Sequence, residues 1–255
     1  MLTFEDEALV LTALPHGENG AVVRFLSMQG GLRSGFVAGA RGKAKRAVLH
    51  PGNRVELALK ARAEGQLASA TVELVESRAL LAFEPQPAAI LAWLTAISAA
   101  ALAEEVPHPR LAGALDALLS GLAAGLTGSE ATSALARYEL LLLEEEGFGL
   151  DLSACALGGS TDDLAFVSPK SGRAVSRAQA AGQPWERQLL PLPGFLLHGG
   201  GSTVAEAAEA LALTGHFLAR HWLHGELLEG LRRRAIAGTS PEQLAARGEP
   251  PKASP

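Results

Sequence analysis

The first 82 residues alternate apolar and polar positions at the two-residue period of a β-strand. The clearest case runs from Arg54 to Arg62, where every second residue from Val55 is apolar and charged residues fill most positions between them. Because successive side chains of a strand point to opposite faces, this pattern predicts half-buried strands separated by turns. We predict five strands that form a small antiparallel barrel, at Ala8–Leu14, Ala21–Ser27, Leu32–Ala38, Arg54–Arg62 and Ser69–Val75.

After Phe83 the apolar period lengthens to that of an α-helix. The run Pro85–Ala103 is uncharged but contains prolines and polar residues, so we interpret it as a buried helix rather than a membrane span. Further helices are predicted over Leu111–Leu122, over Ser129–Glu146, from a capping box at Thr203–Glu206 to about Leu223, and from Glu226 onward.

These patterns predict an α+β chain in which a β-barrel precedes a helical domain. The barrel occupies residues 1–82 and the helical domain residues 83–240, with an irregular insert rich in Gly, Ser and Asp at about residues 149–183. Ser240-Pro241 has the composition of a last helix start, and residues 241–255 are predicted to form this short start and a frayed tail.

The distribution of charge adds a feature that the hydrophobic pattern does not show. The chain carries 22 Lys and Arg against 27 Asp and Glu, a formal net charge of −5. Residues 1–82 hold ten basic and eight acidic residues, net +2, and residues 83–255 hold 12 and 19, net −7. Between Arg33 and Arg62 eight residues are basic and only Glu56 is acidic. A basic stripe on an acidic chain indicates an anionic partner for that stripe.

A basic loop lies at the centre of this stripe. Within Gly39–Arg46, four cations fall in the six residues from Arg41 to Arg46, and the glycines allow a ligand to approach the backbone closely. Since cations at this density repel one another unless an anion neutralises them, we interpret the stripe as a phosphate-binding surface for nucleic acid. The alternative is a solvated surface loop. The candidate DNA-binding residues are Arg33, Arg41, Lys43, Lys45, Arg46, Arg54, Lys60 and Arg62.

Aromatic residues are scarce in the same stretch. Phe36 is the only one between Arg33 and Arg62, and its apolar neighbours predict that it lies in the core. Proteins that bind single strands usually supply aromatic platforms on which bases stack. We therefore expect phosphate contacts to dominate, with poor sequence specificity.

A second basic cluster lies in the helical part and consists of Arg220, Arg232, Arg233 and Arg234, with His221 beside them. Positive charge near a helix C-terminus stabilises the helix by about 0.3–1 kcal/mol, which is one explanation of the cluster. The alternative is a docking surface for an acidic segment of a partner protein.

No motif assembles an active site or a cofactor site. His198–Ser202 is like an esterase oxyanion loop, but no serine has glycine at both −2 and +2 to form a nucleophile elbow. His221 and His224 stand one helical turn apart and could share a metal, although surface or capping histidines are the simpler interpretation. We predict no catalytic residue, no metal and no cofactor.

Three groups of stretches, taken in order, carry a family resemblance. They are His16–Asn19 with Gly30–Leu32 and Val37–Lys43, then Leu49–Val55 with Leu67–Glu73, and finally Tyr138–Leu143 with Gly147–Cys155 and Leu164–Gly172. The last group is the most specific. In this order the chain resembles the RecO family of bacterial recombination and repair mediators over roughly residues 5–235.

The resemblance implies an N-terminal OB-fold, an α-helical C-terminal domain and no enzymatic activity. It further implies binding of single- and double-stranded DNA, annealing of complementary strands, and action with RecR and single-stranded-DNA-binding protein (SSB) to load the recombinase RecA. Of the family's DNA-contacting positions, only Arg41, Lys43, Lys45 and Arg46 are carried over. We therefore predict a cytoplasmic, nucleoid-associated recombination mediator. An OB-fold adaptor that binds an acidic protein segment without a direct DNA role is the alternative.

The sequence departs from the family at a structural zinc site. Many members hold zinc with four cysteines after the long helix, whereas Cys155 is the only cysteine in this chain. The second ligand position is Gly158, and Gly172–Ala178 supplies no second pair. Because a tetrahedral thiolate site needs four ligands, we predict that the insert is held by packing alone. The single cysteine also excludes an internal disulfide and fits a reducing compartment.

Overall fold

The computed structural model describes residues 2–63, 65–158 and 160–237. The chain divides into two compact units, Met1–Gly125 and Leu126–Pro255. The first unit therefore contains the barrel together with the two helices that follow it, so the division between compact units lies beyond the boundary expected at residues 82/83. The helix start and tail predicted at residues 241–255 lie outside the described residues.

Five strands close into a barrel in the first unit. They are β1 (Leu2–His16), β2 (Gly20–Ser27), β3 (Gly31–Val37), β4 (Arg54–Ala61) and β5 (Ala68–Glu76). The order around the barrel is β1-β2-β3-β5-β4, with β4 pairing back to β1 and β3 running parallel to β5. This arrangement confirms the predicted α+β class with an N-terminal OB-fold.

β1 begins six residues earlier than predicted. Its first part, Leu2–Leu9, pairs with β4, and Ala8–His16 pairs with β2. Asp6 stands on the same side of the strand as Phe4 and accepts hydrogen bonds from the Ser27 hydroxyl and the Gln29 N–H. A charged residue at this position breaks the apolar alternation, which hides the first part of the strand from sequence analysis.

In the first unit a short helix, α1 (Lys43–Val48), lies between β3 and β4. Two longer helices, α2 (Pro85–Ala101) and α3 (Pro109–Ala123), follow the barrel after a 3₁₀ turn at Ala79–Phe83. The buried helix predicted from Pro85 is confirmed. The guanidinium group of Arg78 is buried between these elements and donates to Asp116 at 2.7 Å and to Ser120 at 2.8 Å. Across the described ranges, no helix is both long enough and apolar enough to cross a membrane.

The second unit is built on the helices α4 (Gly128–Glu145), α7 (Val204–His221) and α8 (Glu226–Ile236). The predicted capping box is present: the Thr203 side chain accepts from the Glu206 N–H at 3.2 Å, and Glu206 accepts from the Thr203 N–H at 2.8 Å. Thr203 and Glu206 therefore satisfy the free N–H groups at the start of α7.

The insert predicted to be irregular contains a small sheet. Two of its strands, β6 (Leu164–Val167) and β7 (Ala174–Ser176), and the short helix α5 (Arg177–Ala180) lie within the predicted insert. The third strand, β8 (Leu190–Pro191), and the short helix α6 (Phe195–His198) follow it. Strands of two to four residues are too short to show an alternating pattern, which explains the difference.

A small core of its own supports the insert. Cys155, Val175 and Ala180 are buried in it, and the Ser176 N–H donates to the Cys155 Sγ at 3.3 Å. The part of the chain that the structure describes shows no group of three or more His, Cys, Asp or Glu side chains that could hold a metal. The absence of zinc stays a prediction.

Arg232 of α8 is buried, contrary to its expected place in a surface cluster. Its guanidinium group donates to both carboxylate oxygens of Glu139 on α4, at 2.9 and 2.8 Å, and to the Leu211 carbonyl at 2.7 Å. The Thr214 hydroxyl on α7 donates to the same carboxylate. Glycine at position 215 leaves room for the guanidinium group, because a Cβ there would lie 2.4 Å from Nη1 of Arg232 and would displace it. These contacts link three helices through one ion pair.

Candidate nucleic-acid interface

The basic segment, residues 41–46, is a turn leading into a short helix rather than the loop that the sequence predicts. α1 spans Lys43–Val48, and the Arg46 N–H donates to the Gly42 carbonyl at 2.9 Å. Alanine between the cations favours helix formation. A helix of six residues is too short to show a hydrophobic period, so it could not be recognised in the sequence.

The barrel anchors the basic segment on both sides. Ala40 precedes it and Leu49 follows it, and both are buried in the barrel core. The fully buried Asn53 donates through Nδ2 to the carbonyls of Ala47 and Val48, at 2.8 and 3.0 Å. Its Oδ1 accepts from the Arg78 N–H at 2.9 Å. The cations of the segment therefore project from a backbone that is fixed at both ends.

The four cations of the basic segment are open to solvent. Arg41, Lys43 and Arg46 are exposed and Lys45 is half-buried. Within residues 2–63, 65–158 and 160–237, none of them forms an ion pair, and the same holds for Lys60 and Arg62. Six of the eight predicted DNA-binding residues thus carry positive charge that no carboxylate of the described residues neutralises.

Strand register places Lys60 in a continuous row on the outer face of the barrel. Directly paired residues on neighbouring strands point to the same side of the sheet. The pairs Leu14–Val22, Val22–Phe36, Phe36–Ser69 and Ser69–Lys60 run across all five strands. We call these five residues the outer row. Arg62 is exposed just past the end of β4.

Phe36 lies in this outer row, and the prediction from the sequence that it lies in the barrel core is wrong. Its neighbour Val37 points inward and is fully buried, whereas Phe36 is half-buried. The ring of exposed His16 stands edge-on to the Phe36 ring, with centroids 6.0 Å apart and planes at 78°. Successive residues of a strand face opposite sides of the sheet, so a core position for Val37 implies an outer position for Phe36. This alternation was the signal in the sequence that could have predicted the outer position.

Arg33 and Arg54 are occupied by ion pairs. Arg33 pairs with Glu105 at 2.9 Å, and its guanidinium carbon lies 4.3 Å from the centre of the Phe4 ring. Arg54 pairs with Glu7 at 3.1 Å and with Asp116 at 3.4 Å. These two arginines therefore differ from the other six candidates, because carboxylates of the same unit neutralise their charge.

The outer face of the barrel changes sign along β4. Lys60 lies near one end, and Glu56 stands four residues earlier on the same side of the strand. Glu56 pairs in register with Glu7 on β1 and with Glu73 on β5. Carboxylates placed directly opposite one another repel each other and would also repel a nucleic-acid backbone. This acidic row makes the part of β4 around Glu56 unfavourable for a nucleic-acid backbone, in contrast to the part that carries Lys60.

In the second basic cluster Arg232 is buried, and the other three arginines lie at the surface. Arg220 is exposed and donates to the Pro169 carbonyl at 3.0 Å, and Arg233 and Arg234 are exposed.

Burial lowers the pKa of Arg232, but the charge of Glu139 and its hydrogen bonds outweigh this effect and raise the pKa above the ordinary value. Arg232 therefore remains charged inside the unit.

His221 is engaged by an aromatic ring. It stacks on Phe148, with ring centroids 3.6 Å apart and planes at 18°. Burial, together with the nearby charges of Arg220 and His224, lowers the pKa of His221, so the neutral ring is favoured. The stacking accounts for this histidine without a metal.

Comparison with known proteins gives the chain its family. The family model described as "Recombination protein O N terminal" matches residues 1–78, and "Recombination protein O C terminal" matches residues 84–227. The chain belongs to the RecO family. "DNA repair protein RecO" of Phenylobacterium zucineum is 45% identical over 220 residues, which cover 85% of this chain and 88% of that protein. "DNA repair protein RecO" of Rhodospirillum rubrum is 42% identical over 243 residues, covering 92% and 96%.

Family membership confirms the resemblance drawn from the sequence and supports a role in DNA repair and recombination. The two RecO family models meet between residues 78 and 84, close to the boundary expected from the change of hydrophobic period. The compact units divide later, at residues 125/126, because α2 and α3 belong with the OB-fold in the first unit.

Proposed function

We propose that the basic segment, with Lys60 and Arg62, binds the phosphates of DNA and that the protein acts as a recombination mediator. The observation that carries the proposal is a set of six cations, none paired with a carboxylate of the described residues, carried by the basic segment and the end of β4 on a closed OB-fold barrel. Each phosphate that a cation neutralises releases condensed counterions, which favours binding at low salt. Arg33 and Arg54, already paired with carboxylates, are expected to contribute little.

Binding through phosphates suits the annealing of complementary strands. Two such strands repel each other through their backbones, and a surface that neutralises both lowers that barrier without consuming ATP. Contacts to phosphate carry no sequence information, so any pair of complementary strands is a substrate. No catalytic step is part of this function.

The proposed partners are single- and double-stranded DNA, RecR and SSB, with RecA loaded indirectly, at the nucleoid. Arg220, Arg233 and Arg234 are the exposed members of the second cluster. We propose them as the docking surface for an acidic partner segment. Arg232 is left out because its charge is already paired with Glu139.

The test compares the DNA affinity of two full-length variants, each of which lacks four cations. One variant lacks those of the basic segment, and the other lacks four exposed arginines of the second unit. In one variant Arg41, Lys43, Lys45 and Arg46 are changed to alanine. The matched control changes the exposed Arg187, Arg220, Arg233 and Arg234 to alanine, which removes the same charge from the second unit. We expect the first variant alone to lose most of its affinity for a labelled 20-nucleotide strand at low salt.

Equal losses in both variants would show that net charge, and not the basic segment, governs binding. No binding by the unchanged protein would favour the adaptor, in which the basic face of the barrel binds an acidic protein segment instead of DNA.

A further inference from the structure

The outer row exposes apolar and aromatic side chains that are not part of the barrel core. Leu14 is 62% exposed, and the half-buried Phe36 ring lies beside the exposed His16 ring. Position 20 accommodates the ring because it is glycine. A Cβ there would lie 2.3 Å from Cε2 of Phe36 and 2.4 Å from Cζ. One edge of the ring therefore lies close above the backbone of β2 at Gly20, and the His16 ring contacts it edge-on.

Unpaired cations flank this surface on two sides. The basic segment follows the end of β3, and the Arg41 N–H contacts the Asn19 carbonyl in the turn after His16 at 3.5 Å. On the other side, Lys60 lies two strands from Phe36 in the same row, a separation of about 10 Å at the usual strand spacing. A strand crossing the row would meet cations on both sides of the aromatic ring.

We propose that the outer row is a stacking platform for unpaired bases and gives the surface a preference for single-stranded over double-stranded DNA. The inference rests on the proposed DNA-binding function and names its preferred substrate. Bases of a single strand expose their faces to an aromatic ring, whereas those of a duplex are stacked on one another. Phosphate contacts are common to both, so the preference comes from Phe36 and its neighbours.

The test compares three ligands of matched length with the full-length protein: a 20-nucleotide thymidine strand, the same strand with abasic residues throughout, and a 20-base-pair duplex. The unchanged protein is expected to bind the abasic strand about tenfold more weakly than the thymidine strand, within the usual range for base stacking. Because this comparison needs no substitution, it does not depend on how any variant folds.

Substitution locates the platform. Phe36→Leu is expected to weaken binding of the thymidine strand about tenfold and to change binding of the abasic strand and the duplex by less than twofold. Phe83→Leu is the matched control, because Phe83 is 80% exposed and lies outside the outer row.

Equal binding of the thymidine and abasic strands by the unchanged protein would overturn the stacking platform and leave the phosphate-binding surface in place. Equal losses for all three ligands in Phe36→Leu would overturn it as well. Failure of the unchanged protein to bind any of the three at low salt would overturn both the proposed function and this inference.

Discussion

Individual arginines in this chain have different roles that their positions in the sequence do not reveal. Arg232 stands beside Arg233 and Arg234, yet its partner Glu139 lies 93 residues away along the chain. Arg33 and Arg54 were predicted together with Arg41, but carboxylates from distant segments neutralise them. A run of basic residues indicates where cations are concentrated. Only the fold shows which of them remain unpaired.

Arg232→Met is expected to destabilise the protein by about 3–5 kcal/mol, because it leaves the Glu139 carboxylate buried without its partner. The free energy of unfolding is measured by urea denaturation. Arg233→Met, at an exposed neighbouring position, is the control and should change it by less than about 0.5 kcal/mol. Adding Glu139→Gln to Arg232→Met should recover part of the loss. Similar stability of the two single variants would contradict a structural role for the pair.

At the scale of elements, the sequence predicted the strands and helices that are long enough to show a hydrophobic period or that begin with a capping motif. The five strands, the helix from Pro85 and the capping box at Thr203 are present. The elements that were missed are short. α1 has six residues and the strands of the insert have two to four, so neither contains a full repeat of a recognisable pattern. Their positions depend on tertiary contacts such as those of Asn53.

Asn53→Ala is expected to loosen α1, because the carbonyls of Ala47 and Val48 and the Arg78 N–H lose their partner. The loss of stability should be about 1–3 kcal/mol, as for buried polar groups left unsatisfied. Hydrogen exchange measured at the amides of Arg46 and Leu49 should become faster. Asn19→Ala is the matched control, since Asn19 contacts Arg41 through its backbone carbonyl. Unchanged exchange in Asn53→Ala would show that α1 is held by other contacts.

On the scale of the whole molecule, the first unit is electrically polarised although the chain is acidic. The basic segment and Lys60 carry unpaired cations, and the row Glu7–Glu56–Glu73 places three carboxylates at a different height on β1, β4 and β5. The imbalance of charge between residues 1–82 and the rest was visible in the sequence. The positions of these charges along the outer face of one barrel required the strand register, since Glu56 and Lys60 are close neighbours along the chain.

The most direct test of the central claim is the salt dependence of single-strand binding by the unchanged protein and by the variant with Arg41, Lys43, Lys45 and Arg46 changed to alanine. For single strands, the slope of log K against log salt concentration is about −0.7 for each phosphate neutralised. We predict a steep slope for the unchanged protein and a slope shallower by about 3 for the variant. Equal slopes for the two proteins would contradict the assignment of phosphate binding to the basic segment.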